Sequence, residues 1–156
     1  MRCEILGRLA IVLALLGATA NAAPVEEITQ LPSEGGALLP YLRVWDDEIA
    51  PTALAGQFNG GGGHIGLLER GIPRPRANFL VRSSALFLAQ GIATALIETP
   101  TDQHLMSGGF GASAGHARDV AAVVKDLQAK FAGLPVFLIG SSRGTVSAAH
   151  AGDAQA

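Results

Sequence analysis

Cysteine is almost missing from this chain: its 156 residues hold a single one, Cys3. One thiol cannot staple a small domain, so the fold must be held by a hydrophobic core, which implies sheets and helices rather than a disulfide scaffold. Cys3 precedes an apolar run instead of marking a cleavage point, which fits neither a lipid attachment site nor a disulfide partner. Charge is sparse too, at 15% of residues, with 11 Lys and Arg against 13 Asp and Glu and a formal net charge of -2. Such a balance gives no basic field, and Arg74, Arg76, Arg82 and Arg118 are too scattered for a nucleic-acid surface. No apolar stretch approaches the roughly 20 residues that span a bilayer, so no stable membrane anchor is expected. The histidines and carboxylates lack H-E-x-x-H or a similar ligand spacing, so no metal site and no cofactor are expected.

What the chain does have is hydrophobicity, 49% of residues with a mean hydropathy of +0.34, enough for one compact domain and too much for a disordered tail. Part of it lies at the start. Arg2 and Arg8 lead into the run from Leu9 to Leu16, and Ala20-Asn21-Ala22 follows as a small-x-small cleavage site. Residues 1–22 therefore read as a cleaved signal peptide, and 23–156 as the domain of a secreted or periplasmic protein.

Along the domain, residues 23 to 40 carry Pro24, Pro32, Gly35, Gly36 and Pro40 and read as an irregular surface segment. Tyr41 to Trp45 alternates as a strand, and Thr52 to Phe58 is a weaker strand that Gly56 interrupts. Arg76 to Gln90 is expected to be a helix, with Phe79, Leu80, Ser83, Leu86, Phe87 and Gln90 on its buried face and Gly91 as its stop. Ile92 to Glu98 suits a strand covered on both faces, and glycine-rich Thr101 to Gly115 a loop. A second helix runs from His116 with Val120, Val123, Val124, Leu127 and Phe131 inward and Arg118, Asp119, Lys125, Asp126 and Lys130 mostly outward, closed by Gly133. Leu134 to Ile139 is the next strand, and a small-residue helix follows from Arg143 to about Gly152. Alternating helices and strands predict an α/β domain with a mostly parallel sheet between two helical layers.

The chemistry concentrates at Gly140-Ser141-Ser142-Arg143-Gly144, a G-x-S-x-G sequence at the end of a buried strand and the start of a helix. A serine hydroxyl needs exposure, a neighbouring base and help for the oxyanion, and a sharp strand-to-helix turn gives the first. Ser142 is the candidate nucleophile, and the Arg143 N–H a candidate oxyanion donor at the helix start. Ser141 and Ser147 read as structural. The second donor is expected in the loop after an earlier strand, where Asn59-Gly60-Gly61-Gly62-Gly63-His64-Ile65-Gly66 stands, at Gly61 or Gly62. A flexible linker and a phosphate-binding loop are competing readings of those glycines, the latter without the Lys-Ser/Thr that usually follows.

His64 beside the glycines and Asp102 just past a central strand are possible site-shaping residues, each with a plain loop reading beside it. His104 reads as a loop residue, His116 as a cap or surface residue, His150 as a helix position pointing away from the elbow, and Asp153 as surface.

Taken together, Gly60 to Leu67, Glu98-Thr99-Pro100-Thr101-Asp102, Gly108-Gly109-Phe110 and Val136 to Thr145 resemble the N-terminal half of a secreted bacterial α/β-hydrolase of serine esterase type, over residues 40 to 152. The resemblance implies a partial α/β-hydrolase fold, Ser142 as nucleophile, Arg143 with Gly61 or Gly62 as oxyanion donors, and an ester or other acyl compound as substrate. It also implies that the acid and the histidine of the family's triad fall beyond residue 156, leaving this stretch weakly active or inactive alone. Two other functions fit the residues: a secreted interaction protein that completes its sheet by forming a homodimer through an exposed edge, and an anion-binding domain built on the glycine loop.

Overall fold

The computed structural model describes residues 23–73 and 78–155; the expected signal peptide with Cys3, and Arg74 and Arg76, lie outside the described residues. Five strands and five helices follow in the order β1 Val25–Pro32, β2 Leu38–Trp45, β3 Ala53–Phe58, α1 Leu67–Arg70, α2 Phe79–Leu88, β4 Ile92–Ile97, α3 Gly108–Gly111, α4 Ala114–Lys130, β5 Val136–Gly140 and α5 Gly144–Asp153. The strands form one sheet in the order β1-β2-β4-β3-β5. Pairing is parallel for β3 with β4 and with β5, and antiparallel for β1 with β2 and β2 with β4, so the sheet is mixed rather than wholly parallel.

The chain order explains the two helical layers. From β3 the chain crosses to β4 on one side, and from β4 it crosses back over β3 to β5, so right-handed connections put α2 and α4 on opposite faces. Two separate apolar clusters record this. Leu39, Tyr41, Leu54, Phe58, Ala95 and Ile97 pack with Val120, Val123 and Leu127 of α4 and Ala151 of α5. Leu42, Val44 and Leu96 point the other way, onto Leu67 of α1 and Leu80 of α2. Within β2 and β4 the side chains change face residue by residue, as a pleated strand buried on both sides requires.

Several expectations from sequence need correction. Residues 23 to 40 are not an irregular surface segment: Val25–Pro32 is an edge strand paired with Leu38–Trp45 in register from Val25 opposite Trp45 to Pro32 opposite Leu38. Pro24 and Pro32 lie at the ends of the edge strand β1, where a missing N–H is tolerated, and Pro40 is the third residue of β2, just before its pairing with β4 begins at Tyr41. Gly56 does not interrupt β3, whose six residues are all buried; a side chain there would meet Leu138 at 2.9 Å, so the glycine makes room for the neighbouring strand. In α2, Leu80 and Ser83 are buried, yet Phe79 and Leu86 are 61% and 70% exposed. The expected loop from Thr101 to Gly115 contains α3 and the first residues of α4.

Two acids of α4 placed outward by their spacing work inward. Asp126 accepts the Tyr41 hydroxyl and the Arg43 guanidinium, the latter at 2.8 Å, and Arg43 also reaches Glu27 of β1 at 2.9 Å. Burial, then the bond to Asp126, pushes the Tyr41 hydroxyl far above its ordinary range. Asp119 is buried and accepts the Glu34 N–H at 2.6 Å, tying α4 to the β1–β2 turn. Burial, the larger cause, raises the Asp119 carboxyl above its usual value.

His116 is neither a cap nor a surface residue. The Ser113 hydroxyl caps α4, accepting the His116 N–H at 3.1 Å, while the His116 ring lies edge-on to Phe58 and tilted against Phe110 at 4.6 Å. Both ring nitrogens are buried without a partner among the described residues. Burial first, and neighbouring His150 second, pull its pKa from 6.5 down to about 4. The folded protein therefore binds fewer protons than the unfolded chain between those values, so stability falls as pH drops from 6.5 toward 4 and levels off below. His116→Phe keeps a ring between the two phenylalanines and removes this loss. Its stability on going from about pH 7 to about pH 4.5 should fall by about 2–3 kcal/mol less than that of the parent in urea titrations, and equal falls in both proteins would discount the effect.

Candidate active site

Strands β3 and β5 are parallel neighbours, with Phe58 opposite Gly140, so the segments leaving their carboxyl ends emerge side by side. From β3 comes Asn59 and the glycine loop, and from β5 the turn into α5. The two backbones touch. Ser141 donates its N–H to the Phe58 carbonyl at 3.1 Å, and a side chain on Gly60 would stand 2.9 Å from the Ser142 Cβ. A Cβ on Gly144 would collide with the Phe58 carbonyl oxygen, and one on Gly140 with the Gly144 carbonyl oxygen. Both glycines of the G-x-S-x-G sequence are thus demanded by backbone packing against backbone, which no rotamer change relieves.

Ser142 lies at the apex with a φ of 53°, a left-handed conformation shared by no other non-glycine among the described residues. Holding an L-residue there costs on the order of 1–3 kcal/mol, a strain found where function requires a fixed side-chain direction. Its side chain is exposed and its hydroxyl makes no hydrogen bond among the described residues. The turn that follows is closed by Gly144 N–H to Ser141 O at 2.9 Å and Thr145 N–H to Ser142 O at 3.0 Å. The Arg143 N–H has no such acceptor, and it stands at the start of α5 where the helix field favours negative charge.

The glycine loop is held rather than loose. Gly63 donates to Gly60 O at 3.4 Å, and Met106 donates to Gly62 O at 2.7 Å. Gly61 is left-handed at φ 67°, and the N–H groups of Gly60, Gly61 and Gly62 have no backbone acceptor among the described residues. The next three behave differently. Ile65 and Gly66 donate to one oxygen of Glu98 at 2.6 Å each, and Leu67 to the other at 2.9 Å. His64 Nδ1 lies 2.8 Å from the same carboxylate, which is 1% exposed. An internal anion therefore fills the concavity of N–H groups at 65–67, which leaves that part of the segment closed to an external phosphate.

Glu98 was absent from the sequence-derived site residues, although an acid closing an apolar strand just before Thr99-Pro100 is a usable signal: a carboxylate so placed must find donors or stay outside. His64 is exposed, its Nε2 3.6 Å from Glu69. Asp102 is exposed on the side of the β1–β2 turn, lining a groove of about 240 Å³ with Glu34, His116 and Asp119. His104 and Asp153 are exposed and His150 half-buried. Ser147 is buried, its hydroxyl 3.1 Å from the Met106 sulfur. None of the four histidines and neither of these aspartates is hydrogen-bonded to Ser142 among the described residues. No group of three metal-ligating side chains, and no helix long and apolar enough to cross a membrane, occurs among the described residues.

Solved structures share the fold of the chain. The zinc-bound structure of a cold-adapted esterase from an Arctic intertidal metagenomic library matches at a TM-score of 0.57 and 17% identity, over 80% of this chain and 51% of that one. Dienelactone hydrolase from Anabaena variabilis matches at 0.52 and 18%, over 80% of this chain and 55% of that one. The dienelactone hydrolase-like promiscuous phosphotriesterase P91 from metagenomic libraries matches at 0.56 and 16%, over 86% and 56%. This chain spans about half the length of each. No protein-family model and no curated protein matches the sequence. At these identities the likeness is one of architecture: the mixed five-stranded sheet and its flanking helices have the α/β-hydrolase-like fold of the dienelactone hydrolase type.

Proposed function

We propose that this chain carries the nucleophile and the oxyanion hole of a serine hydrolase acting on an ester or another small acyl compound. The observation that carries the reading is the left-handed Ser142 at an elbow whose flanking glycines are sterically required and which faces a glycine loop with unengaged N–H groups. In the reaction, the Ser142 oxygen attacks the acyl carbon while its proton passes to a histidine base. The tetrahedral oxygen accepts N–H bonds from Arg143 and from Gly61 or Gly62. Collapse expels the alcohol, which takes the proton back, and water then releases the acid from Ser142 by the same steps. In this reading the base and its orienting acid are not among the described residues, and the described part alone turns over feebly. Export, inferred from residues 1–22, places the substrate outside the cytoplasm.

A second reading is favoured by β5. Among the described residues it pairs on one side only, none of its five residues is fully buried, and Phe137 is 56% exposed. Val136, Leu138, Val124 and Ala148 line an adjoining groove of about 420 Å³. An apolar edge of this kind recruits another strand, and a second copy of the chain pairing along β5 would cover it. Under this reading the chain elutes as a concentration-dependent dimer and Phe137→Lys returns it to a monomer, whereas a monomer at every concentration speaks against it.

The hydrolase reading is checked by intact mass of the polypeptide purified from its producing cells after incubation with a fluorophosphonate. One adduct, located at Ser142 and lost in Ser142→Ala, is the expected result, and no adduct removes the reading. The strain at the apex gives a companion expectation. Ser142→Gly should be unreactive and yet more stable to urea by about 1 kcal/mol, because glycine accepts the left-handed conformation without the side-chain penalty.

A further inference from the structure

We propose that Glu98 is the positioning residue of the oxyanion hole; the proposal rests on the serine hydrolase reading and names what holds its donors in place. The glycine loop has little to brace it from within: Gly60 to Gly63 have no side chains, one long bond of 3.4 Å joins Gly63 N–H to Gly60 O, and the space where a Cβ of Gly61 would lie is empty to 4 Å. Its N–H groups can be aimed only by fixing the chain on either side. The upstream side is fixed by β3, whose last residue Phe58 is bonded into the elbow through the Ser141 N–H.

The downstream side is fixed by the Glu98 carboxylate, with one backbone bond beside it. Glu98 follows Ile97, the partner of Phe58 in the parallel β3–β4 register, so it leaves the sheet level with the start of the loop. Gly66, left-handed at φ 80° and ψ 41°, curls the chain so that the N–H groups of Ile65, Gly66 and Leu67 converge, and Glu98 accepts all three while His64 Nδ1 lies 2.8 Å from the same carboxylate. Bonds from N–H groups to a buried charged acceptor are stronger than neutral ones, so this tie is stiff. The Met106 N–H to Gly62 O bond also comes from the chain that follows β4. Both ties from outside the loop to its downstream half therefore come from the segment between β4 and α3. Preorganised donors of this kind stabilise a developing oxyanion only when they are held at the right distance, so slack at 64–67 is felt at Gly61 and Gly62.

Glutamine at this position keeps the size but turns an NH2 group toward an N–H donor, breaking the set of three. In the polypeptide from its producing cells, Glu98→Gln should raise amide exchange across residues 59–67 by about tenfold, with the central strands unchanged. It should also slow fluorophosphonate labelling at saturation by about 10- to 100-fold while the half-saturating concentration stays near the parent value. Glu98→Asp, which retains the charge, should restore part of both effects and serves if the glutamine variant does not fold. Glu69→Gln, a surface acid beside His64, should change neither. A labelled parent whose Glu98 variants are labelled at the same rate overturns this inference alone, as does exchange that is unchanged in the loop. An unlabelled parent overturns the hydrolase reading, and the oxyanion role falls with it.

Discussion

The carbonyl of Phe58 is the point on which the site is built. It accepts the Ser141 N–H and occupies the space that any side chain at Gly144 would need, so the end of β3 and the elbow after β5 are pressed together without side chains between them. The ring of the same residue is fully buried against His116 and belongs to the cluster that packs α4 and α5. One residue thus locks the elbow through its main chain and the core beneath through its side chain. A site placed on such a rigid junction keeps its geometry because core packing resists displacement from below.

The parts of this structure legible in the sequence were those with a short-range physical signature. The apolar runs ending at Ile97 and Gly140, the period of α4 and the glycines around Ser142 each state their structure locally, and the handedness of crossovers puts helices on both faces of the sheet. What stayed hidden depends on partners far along the chain. Nothing within residues 25–32 marks them as a strand, because alternation there is weak and the pairing with 38–45 supplies the order. Gly56 looks like a breaker until Leu138 is laid beside it. Phe79 and Leu86 match a helical period as well as Leu80 does, but period alone does not choose which side of a helix meets the sheet.

Internal carboxylates show the same dependence. Glu98, Asp119 and Asp126 satisfy donors from elements distant in sequence: the glycine-loop turn, the β1–β2 turn, and Tyr41 with Arg43. Read by spacing alone, the two acids of α4 belong to a solvated face and Glu98 to a strand end. A chain with so little charge uses these three as internal ties: buried Glu98 accepts three N–H groups, buried Asp119 one, and half-buried Asp126 a hydroxyl and a guanidinium. Lys130 extends the pattern on the outside of α4, with its ammonium 3.9 Å from the centre of the Trp45 ring and 3.6 Å from Glu27.

The sheet order has a kinetic meaning as well. The β1–β2 hairpin closes across a short turn and β3 meets β4 across α1 and α2, whereas β3 meets β5 only after everything between them, including β4 and α4, has been threaded through. The entropy of closing a loop grows with its length, so local pairings form before distant ones reward the chain. The pairing that brings Ser142 to the glycine loop is the longest closure in the sheet. The elbow and the loop therefore meet late in folding, and a chain caught before that step has most of its sheet and no site.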